Sequence, residues 1–131
     1  MEGLGPLIER SYVVMPSAVE LARLTGRKDY VAGSKVLLDA GVKVVAVKLG
    51  SRGCYVTNGD EGYHVEAFQV PVVDTTGAGD AFCAGFLYGL LKGMGLYECG
   101  RIGNFVASRC IMKMGARAGL PRLEELKQLG L

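Results

Sequence analysis

Gly77-Ala78-Gly79-Asp80 sets glycine and a carboxylate at the point where an extended segment gives way to a long apolar stretch. The first N–H groups of a helix have no intrahelical partner, and the aligned peptide dipoles leave about half a positive charge there. Gly77 and Gly79 have no side chain to hold an anion away, so a phosphate can touch such N–H groups directly. Asp80 is the odd residue in this setting. An acid in a first helical turn complements the dipole, yet it also repels a bound phosphate. It has a use there if it takes the proton from a hydroxyl that attacks a phosphoryl group while the N–H groups stabilise the developing charge. Two plainer readings stand beside this one: a glycine-rich turn that binds nothing, and an Asp80 that only complements its helix.

Other phosphate-binding patterns do not fit. No Gly-Lys-Ser/Thr occurs, so there is no P-loop. A dinucleotide loop needs a third glycine where Phe82 stands. Across all 131 residues the net charge is +2 and no basic run exceeds Arg27-Lys28, so no nucleic-acid partner is expected. The four cysteines are far apart, no Cys-x-x-Cys occurs and His64 is the only histidine, which argues against zinc. The thiols read as reduced core residues of a cytoplasmic protein. No signal peptide is expected, because the first residues have neither a basic segment nor a long apolar one. Ala81 to Leu91, the longest apolar stretch, is interrupted by Gly85 and Gly89 and is too short for a membrane span of about 20 residues.

The elements that must position the loop follow from periodicity and punctuation. Ser11–Met15 reads as a strand stopped by Pro16, and Ser17-x-x-Glu20 as a capping box opening a helix that Gly26 ends. Asp29 caps a second helix, with Val31, Val36, Leu37, Leu38 and Ala40 as its apolar stripe and Gly41 as its stop. Val42–Leu49 is β-branched on both alternating faces, the mark of a strand buried on both sides. A turn at Gly50–Gly53, a strand at Cys54–Thr57 and a hairpin turn at Asn58-Gly59-Asp60 follow. Residues 62–68 then pair back, and Val70–Val73 is a short extended piece. One helix is expected over Ala78–Lys92, with Gly85 and Gly89 letting it lie close to the sheet. Another is expected over Tyr97–Met114, with Ile102, Val106 and Cys110 on one face, and a last one from Pro121. Cys83, Cys110 and Met112 read as core. Helices alternating with a buried strand give an α/β class.

Val73-Asp74-Thr75-Thr76-Gly77-Ala78-Gly79-Asp80-Ala81-Phe82 closely resembles the C-terminal signature of ribokinase-like (PfkB-family) carbohydrate kinases. The resemblance runs from about Ser11 to Leu131. It takes in Val44–Gly53, Ala84-Gly85-Phe86-Leu87, Asn104 and the closing Lys113–Pro121 segment. It implies a three-layer ribokinase-like α/β fold of which residues 1–131 form a single partial domain, the C-terminal nucleotide-binding portion. The N-terminal sugar-binding and lid portion is expected to be absent.

By the same resemblance, Asp80 is the catalytic base, and Gly77, Ala78 and Gly79 form the anion hole for the transferred phosphoryl group. Lys48, Gly50, Ser51, Arg52 and Gly53 lie along ATP, and Asn104 lines the adenine pocket. Asp74 and Thr76 hold a monovalent cation, usually K+, with carbonyls near Cys110, Lys113 and Gly115 completing its site. Ser17 and Glu20 stand where the family has Asn-x-x-Glu, which helps to hold Mg2+ and phosphate through water; Ser keeps a single hydroxyl where the amide has two groups. Plainer roles compete here too: a hairpin turn for Gly50 and Gly53, an ordinary polar helix residue for Asn104, a cap for Ser17.

The leading expectation is an ATP-dependent phosphotransferase acting on a sugar or nucleoside hydroxyl. A nucleotide-binding fragment or interaction module without activity of its own is the alternative, and a dinucleotide-dependent enzyme a third. The expected partners are a sugar or nucleoside in the full protein, with no nucleic acid and no membrane. A sheet cut through its middle also implies self-association or pairing with the missing N-terminal half.

Overall fold

The computed structural model describes residues 12–72, 74–75 and 77–112, and the chain divides into two compact units. The first takes the residues up to Gly50 together with Cys54–His64; the second takes Ser51–Gly53 and the residues from Val65 onward.

In the first unit the order is β1 (Val13–Val14), α1 (Ala18–Thr25), α2 (Tyr30–Asp39), β2 (Val44–Lys48), β3 (Cys54–Thr57) and β4 (Gly62–Val65, its last residue counted with the second unit). The four strands lie in the order β1-β2-β3-β4. β1 runs parallel to β2, with Val13 opposite Val44, and β2 runs antiparallel to β3, from Val45 opposite Thr57 to Lys48 opposite Cys54. β2 is buried on both faces as its composition predicts: Val44, Val45, Ala46 and Val47 are all inside. Val45 and Val47 pack with Leu21 of α1, Leu37 of α2 and Val42. Each fully buried Leu or Val there stabilises the unit by roughly 1.5–3 kcal/mol.

The punctuation also behaves as expected. Asp29 accepts from the Val31 N–H, and Gly26 ends α1 in the left-handed region at φ 73°. Asn58 Oδ1 takes the N–H groups of Asp60 and Glu61 at 3.0 and 2.8 Å, which closes the β3–β4 turn.

Three of the expectations for the strands and for α2 need correction. Within Ser11–Met15 only Val13–Val14 pairs as strand, and Ser11 lies outside the described residues. Val31 does not join the α2 stripe; it sits just after the cap and is 43% exposed. β4 ends at Val65 and does not reach Phe68, because the backbone of residues 65–67 turns over Gly53. Val70–Val72 carries no regular secondary structure, and Val73 lies outside the described residues.

In the second unit α3 (Ala78–Leu91) packs along α4 (Leu96–Ile111). Gly85 and Gly89 were expected to bring α3 close to the sheet; they bring it close to α4. A Cβ on Gly85 would stand 2.9 Å from the Ile102 carbonyl oxygen, and one on Gly89 would stand 2.9 Å from Cys99 Sγ. Gly103 of α4 returns the fit, receiving the Phe82 ring. Ile102, Val106 and Cys110 form the buried face with Ala81. The helix expected from Pro121 lies outside the described residues. Cys54, Cys99 and Cys110 are buried thiols and Cys83 is half-buried. Burial, reinforced by Glu98, pushes the Cys99 thiol up to about 11, so it stays neutral.

Candidate functional site

In the first unit the sequence candidates Ser17, Glu20 and Lys48 come together. The Lys48 N–H donates to the Pro16 carbonyl at 2.8 Å, and Ser17 bridges to Lys48 as an isolated parallel pair. Ser17 and Glu20 complete the capping box. The Ser17 N–H donates to Glu20 Oε1 at 2.8 Å, and the Glu20 N–H donates to Ser17 Oγ at 3.1 Å. The Ser17 backbone N–H and, next, the Ser17 hydroxyl hold the Glu20 carboxyl below its ordinary 4.5. Glu20 is therefore an ionised, exposed carboxylate with one oxygen already engaged. Lys48 is half-buried at the end of β2, and Gly50 follows at φ 62° with open space where a Cβ would go.

In the second unit Ser51 and Arg52 are exposed and Gly53 is buried. Gly53 must be glycine for two reasons. Its φ is +92°, and a Cβ would fall 1.9 Å from the Val65 carbonyl oxygen and 2.7 Å from the Ala67 nitrogen. Asn104, 5% exposed in the middle of α4, reaches the same strip of backbone. Its Nδ2 donates to the Val65 carbonyl at 3.0 Å and to the Glu66 carbonyl at 3.1 Å.

The start of α3 is built differently. Gly77, at φ 79°, is the N-cap and supplies no side-chain cap. The Ala78 N–H turns back to the Thr75 carbonyl at 3.1 Å, and the Ala81 N–H makes the first intrahelical bond, to Gly77 at 2.9 Å. The N–H groups of Gly79 and Asp80 fall between them, in the stretch of helix that has no intrahelical acceptor. Asp80 is exposed in this first turn. An uncapped start alone is no mark of a site, since α4 also opens on a glycine, Gly95, without a side-chain cap. α4 also has an exposed acid in its first turn, Glu98, so what α3 adds is the left-handed glycine.

Asp74 lies against the C-terminal end of α4: its N–H donates to the Ile111 carbonyl at 3.1 Å. Burial, and then the Asp74 carboxylate, push the Cys110 thiol up, so the two are electrostatic neighbours. A carboxylate beside a helix C-terminus is an oxygen-rich, electronegative setting of the kind hard cations take. Thr76, Lys113 and Gly115, the other candidates for this group, lie outside the described residues.

Sequence reasoning did not find the Val65 and Glu66 carbonyls as partners of Asn104. The available signal was a mid-helix Asn between the buried positions Gly103 and Val106, since a buried amide needs acceptors.

Among the described residues no helix is long and apolar enough to cross a membrane. The sequence pattern of the pfkB family carbohydrate kinase matches residues 1–123. A sugar kinase from Archaeoglobus fulgidus, described as uncharacterized, is 49% identical over 92% of this chain and 49% of its own length. Among solved structures, Arabidopsis thaliana ribokinase complexed with ribose and ATP superimposes with a TM-score of 0.87 at 32% identity, covering 95% of this chain and 42% of that one. An E. coli protein assigned as a ribokinase II, in complex with ATP and Mg2+, gives 0.88 at 29% identity, over 95% and 41%. The fold is thus ribokinase-like, and the chain spans half or less of the length of these relatives.

Proposed function

The chain belongs to the pfkB family of carbohydrate kinases, and from that premise we propose that it carries the nucleotide and phosphoryl-transfer side of an ATP-dependent kinase for a hydroxyl of a sugar or sugar-like substrate. The observation that carries this reading is the start of α3, where a left-handed Gly77, an uncapped first turn and an exposed Asp80 coincide. Asp80 takes the proton of the acceptor hydroxyl as its oxygen attacks the γ-phosphorus of ATP. The bond to the bridging oxygen breaks and ADP leaves. In the Gly77-Ala78-Gly79 loop the N–H groups of Gly77 and Gly79 stabilise the charge on the transferred phosphoryl oxygens, while the Ala78 N–H, bonded to the Thr75 carbonyl, holds the loop in shape. Lys48, Gly50, Ser51, Arg52, Gly53 and Asn104 serve the nucleotide.

Glu20, ionised and exposed beside Ser17, fits a water-mediated role toward Mg2+, which neutralises phosphate charge when bound. Asp74 fits K+, together with Thr76 and the carbonyls near Cys110, Lys113 and Gly115. That ion, when bound, offsets the Asp74 charge close to the loop. On this reading, residues that read the sugar belong to the part of the relatives' length this chain does not cover. A cytoplasmic setting follows from the same reading.

The test is Asp80→Asn in the full-length protein. Turnover with ATP over a panel of sugars and nucleosides should fall by about 10²–10⁴-fold, with ATP affinity nearly unchanged. Unchanged kcat overturns the assignment. The limited coverage of the relatives favours one second reading, a nucleotide-binding piece that is inactive by itself and either self-associates or pairs with further sequence. ATP binding by calorimetry without turnover of any acceptor by the 131-residue chain supports it, and turnover excludes it.

A further inference from the structure

We infer that Asn104 is a positioning residue for the nucleotide loop, acting through the backbone of residues 65–66 and not by touching the base. This rests on the reading of Gly50–Gly53 as that loop. The Asn104 amide spends both N–H donors on consecutive carbonyls, Val65 at 3.0 Å and Glu66 at 3.1 Å. Those peptides press on Gly53: the Val65 oxygen stands 1.9 Å, and the Glu66 carbonyl carbon 2.9 Å, from where a Gly53 Cβ would lie. Gly53 is thus held between its own left-handed conformation, at φ 92°, and a strip of chain that Asn104 fixes from α4. β4 ends at Val65, so beyond it no ladder bond holds this strip. The side-chain amide does what a neighbouring strand would do elsewhere. Removing its donors leaves two buried or partly buried carbonyls without them, and lets residues 65–67 lift off Gly53.

The experiment compares wild type, Asn104→Ala and Asn104→Asp by calorimetry with ATP and with GTP, and follows amide hydrogen exchange at residues 65–67. Asp keeps the shape of Asn but cannot donate. Both variants should bind each nucleotide about 10-fold more weakly by the same factor, with faster exchange at 65–67. Gly53→Ala should give a similar loss, and adding Asn104→Ala to it should cost little more, because both act on one contact. Loss confined to ATP, with GTP unaffected, means that Asn104 reads the base and overturns the inference. Wild-type affinity in Asn104→Asp overturns it too. If Asn104→Asp fails to fold, Asn104→Ala and its cycle with Gly53→Ala carry the test, and full additivity there is the overturning result. If wild type binds neither nucleotide, the reading of the loop itself fails, and the inference with it.

Discussion

Helices α1 and α3 meet the same physical problem and solve it in opposite ways. Each opens with backbone N–H groups that have no partner within the helix, and each has an acid in its first turn, Glu20 in α1 and Asp80 in α3. α1 satisfies itself: Ser17 Oγ takes the Glu20 N–H, and the Glu20 carboxylate reaches back to the Ser17 N–H. α3 opens on Gly77, which has no side chain to give, so no side-chain bond from its cap to the Asp80 N–H can form. A helix start whose donors are satisfied from within contributes stability. One that lacks a side-chain cap has surrendered that stability, which is the arrangement expected where a ligand supplies an acceptor.

The difference can be broken from either side. The larger effect is expected at α3. Gly77→Ala puts a Cβ on a residue at φ 79°, a left-handed conformation that costs a non-glycine residue about 1–2 kcal/mol. The loop is expected to shift and lose the aim of its N–H groups, lowering kcat in the full-length protein by about 10²-fold with little change in ATP affinity. Wild-type kcat in this variant means that the α3 start is an ordinary turn. At α1 the effect is smaller and falls on stability. Ser17→Ala should destabilise by about 0.5–2 kcal/mol in chemical denaturation, the usual cost of losing a cap.

The acid of α1 sharpens the contrast further. Its folded-state pKa lies below 4.5, so its contribution to stability is present above that value and is lost as the pH falls through the folded-state pKa. In Ser17→Ala the Glu20 midpoint, followed by carboxyl-carbon NMR, should rise toward 4.5 without reaching it, because the Ser17 backbone N–H is the larger cause of the depression. A midpoint that does not move means that the hydroxyl contributes nothing.

What could be read from the residues was mostly local. The capping box, the Asp29 cap, the doubly buried β2 and the Asn58 turn each depend on side chains within a few positions of one another, and each is present. The misreadings were of partners distant in sequence. Glycines at 85 and 89 announce a close approach but not to what; α4 and the sheet were equally compatible with that spacing. β4 was drawn too long because the strip from 65 to 67 is held by Asn104 and Gly53, which lie 38 or 39 positions ahead of it and more than ten behind. The Gly77–Asp80 loop is legible in the sequence because helix-start chemistry is also local. Whether its donors receive a phosphoryl group depends on a ligand that no spacing of residues displays.

That question has a direct measurement. Amide ¹H–¹⁵N spectra of the protein, recorded with ADP and then with ADP plus aluminium fluoride as a mimic of the transferred phosphoryl group, report on both helix starts at once. The account predicts that the mimic shifts the Gly79 and Asp80 amides strongly and leaves the Glu20 amide, already bonded to Ser17, nearly where it was. Unmoved Gly79 and Asp80 amides under saturating nucleotide and mimic would contradict it.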